Sequence, residues 1–158
     1  MLRLKPNTTD VDLQAMAKKL YIPLVFIGFR NELPKQPKPG AYIINLEAST
    51  EGMGSHWCGM YLAGTVFPSM AFYFDPFGAA APEEAVQLMR RWTGKRGAQR
   101  HIYSNPYDIQ NINGGFCGEY TIDFLHNIMH NPTLEGFIHF LNKYKHIIRI
   151  QKNTESNI

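Results

Sequence analysis

The stretch Phe116–His130 restricts the fold of this chain more than any other, because its apolar residues recur at helical spacing over several turns. Pro132 cannot continue a helix, and the pair Gly114-Gly115 interrupts regular structure just before the stretch begins. We therefore predict one long helix with sharp limits and one buried face. The rest of the chain must supply a core against that face.

Weaker patterns on both sides predict the elements that pack on this helix. Thr8 or Thr9 fits the N-cap of an opening helix, since a threonine side chain accepts a hydrogen bond from the first turn. Pro82 suits the first turn of a further helix that runs to about Trp92, and Thr133–Ile148 predicts a last helix. Apolar runs predict strands, of which the first is expected to be buried, at Leu24–Phe29, Ala41–Leu46, His56–Gly64, Met70–Asp75 and around His101–Tyr103.

The order helix, strands, helix, strand, helices predicts an α+β fold with a small mixed or antiparallel sheet flanked by helices. The chain has 158 residues, of which 44% are apolar and 18% charged, and it contains neither an internal repeat nor a linker. These values fit a single domain over residues 1–158, with a tail from about residue 150 that frays.

Composition also limits the class of function. The chain has two cysteines, Cys58 and Cys117, which fits a reducing compartment better than a disulfide-stapled secreted protein. It lacks a signal peptide, and it also lacks an apolar run long enough to span a membrane, so we expect an intracellular protein without membrane contact. The net charge of +3 permits weak binding to nucleic acid but does not argue for it. A monomer is the default expectation.

Cys117 is the first candidate for chemistry because it opens the predicted long helix directly after the glycine pair. The positive end of a helix stabilises a negative charge, and the thiolate is the nucleophilic form of cysteine. The glycines allow another backbone to approach closely, as a scissile peptide must. The alternative is a buried cysteine with a structural role only, since free cysteines are among the most buried residues.

Three further residues can complete a nucleophilic site. His56 can act as the base, and Asp75 can orient its ring, since a strand pair that turns near Pro68 places both at one edge of the sheet. Gln110 can supply a side-chain N–H to an oxyanion hole together with the backbone N–H of Cys117. Each also fits a structural role, as a strand-edge histidine, a turn aspartate and a solvated loop glutamine.

Four short motifs in order resemble the adenovirus protease family and, more distantly, the proteases that deconjugate SUMO-like proteins. They are a Gly-Ser-His-Trp step at residues 54–57, an Asp-Pro-Phe-Gly turn at residues 75–78, Gln110, and Cys117-Gly118 seven residues later. The order histidine, acid, glutamine, cysteine is that of this family, whereas papain-like enzymes place the cysteine first. The resemblance covers roughly residues 10–140.

The resemblance implies an α+β cysteine endopeptidase with its nucleophile at the N-terminus of a central helix. It implies catalysis by His56, Asp75, Gln110 and Cys117, and a narrow substrate cleft with Trp57, Gly115 and Gly54. The expected substrates are polypeptides, namely viral capsid or core precursors cut after small, Gly-type residues during virion maturation. Related genes occur in virophages and Polinton-type elements, so the expected location is the infected cell and the virion.

The chain departs from the family pattern in its acid, which is Asp75 rather than glutamate, and in a shorter C-terminus. Adenovirus protease is stimulated by a tethered peptide and by DNA, but this chain has no cysteine shortly before His101 to receive such a peptide. DNA stimulation rests only on the basic residues Lys95, Arg96 and Arg100. We therefore expect no required cofactor, and activation by peptide or DNA lacks support from the sequence.

Other functions remain open. A ubiquitin-like-protein deconjugating protease or an acyltransferase uses the same thiolate chemistry, so the four residues do not separate them. A non-enzymatic structural or nucleic-acid-binding domain requires that Cys117 and His56 be buried and inert. A metal site is not expected, because His126 and His130 alone do not provide the three or four ligands that zinc requires.

Overall fold

The computed structural model describes residues 8–47, 56–64, 69–94, 101–105 and 117–143. Within these residues the protein is an α+β structure with a five-stranded mixed sheet and four α-helices, so the expected class is confirmed at this level. A short 3-10 turn spans Arg30–Glu32. The elements in chain order are α1 (Asp10–Lys19), β1 (Leu24–Phe29), β2 (Gly40–Asn45), β3 (Trp57–Ala63), β4 (Met70–Phe74), α2 (Glu83–Thr93), β5 (Ile102–Ser104), α3 (Cys117–His130) and α4 (Leu134–Leu141).

The strands lie in the sheet in the same order as in the chain, from β1 to β5. The outer pairs β1–β2 and β4–β5 are parallel, and the inner pairs β2–β3 and β3–β4 are antiparallel. Because of these directions, the C-terminal ends of β2, β4 and β5 lie beside the N-terminal end of β3, at one end of the sheet. We call this end, where strands begin and finish, the site edge. His56 and Asp75 lie there, immediately before β3 and after β4.

Helices cover both faces of the sheet. The central strand β3 is buried along nearly its whole length, as expected for an apolar run with a layer on each side. The core of one face is formed with α1, α3 and α4 and includes Leu13, Phe74, Phe124, Leu125, Phe137 and Phe140. The core of the other face is formed with α2 and includes Tyr42, Met60, Tyr73, Leu88 and Met89.

Helix α3 approaches β3 closely at Gly59. A Cβ atom at this position would lie 2.9 Å from Cδ2 of Phe124 and 3.0 Å from Cγ2 of Thr121. These distances are too short for ordinary van der Waals contact, so a side chain at Gly59 would force the helix away from the strand. Gly59 therefore allows the short distance between α3 and the sheet, and this distance sets the position of Cys117.

Two details differ from the sequence-based expectation. β1 is only partly buried, because it forms an edge of the sheet and has a strand neighbour on one side only. The last helix ends at Leu141 instead of continuing to Ile148. The N–H of Lys143 bonds to the carbonyl of Phe140, which tightens the chain into a turn there. Residues beyond 143, including the expected fraying tail, lie outside the described part.

The first helix begins as its sequence predicts. Thr9 is the N-cap, and its side chain and that of Asp12 exchange hydrogen bonds with each other's backbone N–H groups in a capping box. Among the described helices, none has the length and apolar character needed to cross a bilayer.

Candidate active site

His56 and Asp75 meet directly at the site edge. Nε2 of His56 lies 2.7 Å from Oδ1 of Asp75, so the ring donates its Nε2 proton to the carboxylate. The Asp75 side chain is fully buried and the His56 side chain is 17% exposed. A fully buried carboxylate of this kind requires a partner, and the imidazole provides it.

The surroundings of His56 favour its charged form. Burial opposes the charge on the ring, but the hydrogen bond to Asp75, the sulfur of Cys117 and the negative charges of both groups outweigh it and raise the pKa of His56 to about 9. At neutral pH the ring is therefore an imidazolium. Such a group stabilises a neighbouring thiolate and holds a proton ready for transfer.

Cys117 is the first residue of α3 and is 5% exposed. Its Sγ accepts a hydrogen bond from the backbone N–H of Trp57 at 3.3 Å. One turn further along the helix, the hydroxyl of Thr121 donates to the backbone carbonyl of Trp57 at 3.2 Å. Two side chains of α3, those of Cys117 and Thr121, thus bind the backbone of Trp57, and they keep the sulfur next to this residue, which directly follows His56.

The second ring nitrogen of His56 has a distinct environment. Nδ1 is buried, and within the described residues its one candidate partner is the sulfur of Cys117, whose interaction with the ring favours the charged form. Catalytic hydrogen bonds are often long or poorly aligned before a substrate binds. Nδ1 is therefore the ring nitrogen available for proton exchange, since Nε2 is occupied by Asp75.

Asp75 is held by two residues that the sequence did not single out as site residues. The Asn105 side chain bonds to both backbone groups of Asp75, and the N–H of Phe77 donates to Oδ1 of Asp75 at 2.8 Å. Phe77 belongs to the Asp-Pro-Phe-Gly turn, whereas Asn105 carries only one signal: it directly follows a strand expected to pair in the sheet. Thr121, which binds the carbonyl of Trp57, is a further residue that the sequence did not single out, and it shows no signal beyond its helical position.

Of the remaining predicted site residues, the structure describes Trp57 only. Trp57 is 5% exposed and belongs to the core, and its indole N–H donates to the backbone carbonyl of Thr8 at 2.9 Å. Its side chain therefore offers little surface to a substrate. Gln110, Gly115 and Gly54 lie outside the described residues, as do the basic residues Lys95, Arg96 and Arg100.

Cys58 differs sharply from Cys117. It is completely buried on the α2 face, where its Sγ donates to the carbonyl of Ile44 and accepts from the hydroxyl of Tyr73 at 2.9 Å. Burial raises the pKa of the Cys58 thiol well above its usual range, so the thiolate is strongly disfavoured. Cys58 is accordingly an internal control for the reactivity of Cys117.

Across the described ranges, there is no group of three or more histidine, cysteine, aspartate or glutamate side chains that could hold a metal ion. His126 and His130 pack edge to face, and Nδ1 of His130 lies 2.7 Å from the carbonyl oxygen of His126. This pair is explained as a local helix contact.

No protein-family model matches the chain, and no curated protein matches it either.

Proposed function

We propose that this protein is a cysteine endopeptidase of the adenovirus-protease type that cleaves viral capsid or core precursors after small residues. One observation carries the proposal. The imidazole of His56 is bound to a buried carboxylate at 2.7 Å, while the N–H of the next residue binds the sulfur of Cys117 at the start of a helix. A base, its orienting acid and a nucleophile therefore converge at one edge of the sheet.

The arrangement suits acylation by a thiolate–imidazolium pair. The Cys117 thiolate attacks the carbonyl carbon of the scissile peptide, and the carbonyl oxygen becomes an oxyanion. When this intermediate collapses, the C–N bond breaks and His56 gives its proton to the leaving amine. The products of this half-reaction are the free amine and a thioester on Cys117. Asp75 remains ionised throughout and keeps the ring oriented.

Deacylation uses the same groups in reverse. The neutral imidazole of His56 removes a proton from water, the resulting hydroxide attacks the thioester, and the C–S bond breaks. This step releases the carboxylic acid and restores the thiolate–imidazolium pair. We assign stabilisation of the oxyanion to the backbone N–H of Cys117 and to the side chain of Gln110, as the resemblance implies.

The architecture supports the finer assignment to an adenovirus-protease fold. Helix α3 packs on the central strand β3, and the nucleophile lies at the end of the helix that faces the site edge. The base directly precedes β3, the acid directly follows β4, and the nucleophile opens α3.

The proposal is tested with the purified chain and three substrates: a peptide from a neighbouring capsid gene that contains Gly-Gly, a SUMO-like precursor, and acetyl-coenzyme A with an acceptor amine. We expect cleavage of the capsid peptide after glycine, loss of turnover in Cys117→Ala, and retention of turnover in Cys58→Ala. Cleavage of the precursor alone favours a deconjugating protease, and acetyl transfer alone favours an acyltransferase. Activity that persists in Cys117→Ala contradicts all three.

The thiol itself provides a test that needs no substrate. Iodoacetamide near neutral pH should alkylate Cys117 rapidly and leave Cys58 unmodified in the folded protein, as read by peptide mass spectrometry. Labelling of Cys117 no faster than that of a free cysteine would support an inert structural domain instead.

A further inference from the structure

Asn105 directly follows β5 at the site edge and is 2% exposed. Its Oδ1 accepts the backbone N–H of Asp75 at 2.9 Å, and its Nδ2 donates to the backbone carbonyl of Asp75 at 2.6 Å. One side chain therefore satisfies both main-chain groups of the residue that orients His56. We infer that Asn105 is a positioning residue that holds the Asp75 carboxylate against the imidazole, an inference that rests on the proposed function.

A side-chain amide suits the position beside Asp75, because it can both accept from and donate to the main chain there. The last β4–β5 partners are Tyr73 and Ser104, so regular pairing of the two strands ends before Asp75. The carbonyl of Asp75 accepts from the N–H of Gly78 at 2.8 Å, but its buried N–H would have no acceptor without Asn105, at a cost of about 1–3 kcal/mol. The N–H requires an acceptor, and the second lone pair of the C=O can accept from a further donor. The asparagine side chain carries both groups without a charge.

The effect on His56 follows from the next contacts in the series. Oδ1 of Asp75 binds both Nε2 of His56 and the N–H of Phe77, so the carboxylate is fixed at its backbone and at one oxygen. The charged or titratable groups that face the imidazole in the described structure are Asp75 from the end of β4 and Cys117 from α3. If the main chain at Asp75 becomes more mobile, the hydrogen bond between its carboxylate and the imidazole weakens, while the ring stays buried. The charged form of His56 then becomes less stable.

The test measures the pKa of His56 by NMR titration of its ring in the wild type, in Asn105→Ala and in Asn105→Leu. Asn105→Leu keeps the approximate size of the side chain and adds no charge, but it carries neither the acceptor nor the donor. We expect the pKa of His56 to fall by about one unit or more in both variants. We also expect kcat for the capsid peptide to fall by about tenfold or more with little change in KM, since misplaced catalytic groups act on the transition state.

Asn45→Ala is the matched control. Asn45 is also a fully buried asparagine at the site edge, but its side chain accepts from the N–H of Glu47 and is not bonded to Asp75. This variant should lose stability and leave the pKa of His56 within a few tenths of the wild type. An equal fall in Asn45→Ala, or an unchanged pKa in the Asn105 variants, overturns the inference.

Two features keep this test separate from the proposed function. The NMR titration does not depend on turnover, so a fall in the pKa supports the positioning role even if no peptide is cut. If neither Asn105 variant folds, hydrogen exchange in the wild type decides. Slow exchange of the Asn105 side-chain amide protons and of the Asp75 N–H supports the inference, and rapid exchange of either refutes it.

Discussion

The ring of Phe77 lies against the imidazole of His56, with 4.5 Å between the ring centroids and 32° between the ring planes. The same residue donates its backbone N–H to the carboxylate oxygen that binds the imidazole. Phe77 is 41% exposed, so one side of its ring covers the histidine and the other faces solvent. The Asp-Pro-Phe-Gly turn thus shields the contact between base and acid from water.

Replacing Phe77 tests this shielding. An aromatic pair of this kind contributes about 0.5–1.5 kcal/mol, so Phe77→Ala should lower kcat/KM by about 2- to 10-fold. Phe77→Tyr keeps the ring and should retain nearly full activity. Steady-state kinetics on the capsid peptide, with thermal melting to check the fold, measure both. Equal activity of Phe77→Ala and the wild type would show that the ring contact is incidental.

The raised pKa of His56 predicts the alkaline limit of activity. Cleavage requires a protonated imidazole to supply the proton of the leaving amine, so kcat/KM should decline with an apparent pKa near 9. Asp75→Asn removes the strongest favourable contact of the imidazolium and leaves burial in place. The alkaline limit of kcat/KM should therefore move to lower pH in this variant. A limit that stays near pH 9 without the carboxylate would mean that another group sets it.

The same pKa shift links stability to pH. The folded-state pKa of His56 lies above its ordinary value of 6.5, so its contribution to the unfolding free energy is complete below about pH 6.5 and is lost as the pH rises towards 9. The shift corresponds to a contribution on the order of 3 kcal/mol. Urea unfolding at intervals from pH 6 to pH 10 should show this decline in the wild type. The decline in unfolding free energy should be much smaller in His56→Gln. An equal decline in that variant would show that a group other than His56 causes it.

Gly59 offers a prediction about the placement of α3. Gly59→Ala introduces a methyl group into contact with Phe124 and Thr121, and overpacking of this kind costs about 1–3 kcal/mol. The variant should melt at a lower temperature and label more slowly at Cys117, since the helix that carries the sulfur is displaced. Adding Thr121→Ser removes Cγ2 of Thr121, one of the two atoms that the new methyl group meets, and should restore part of the stability. No recovery in the double variant would locate the strain elsewhere.

The sequence predicts the local parts of this structure well. Runs of apolar residues between glycines and prolines place all five strands within about two residues of their observed limits, because strand formation and chain reversal are both encoded locally. The hairpin of β3 and β4 likewise brings His56 and Asp75 to one edge, and their direct contact follows from the antiparallel register.

The sequence alone does not predict the contacts between segments that are far apart along the chain. Asn105 meets Asp75 only because β5 runs parallel to β4 after a helical crossover, and Thr121 meets Trp57 only at the height that Gly59 allows for α3. The partial burial of β1 depends in the same way on its place at the edge of the sheet, which no local pattern in Leu24–Phe29 reveals.

The order of the strands has a consequence for the chain while it is being made. The sheet gains its strands in the order in which the ribosome releases them, and the hairpin with the base and the acid precedes the helix with the thiol. A translation product cut short before α3 thus lacks Cys117. Under the proposed function, the nucleophile is added only after the strands that receive it have left the ribosome, so incomplete chains cannot cleave the proteins around them.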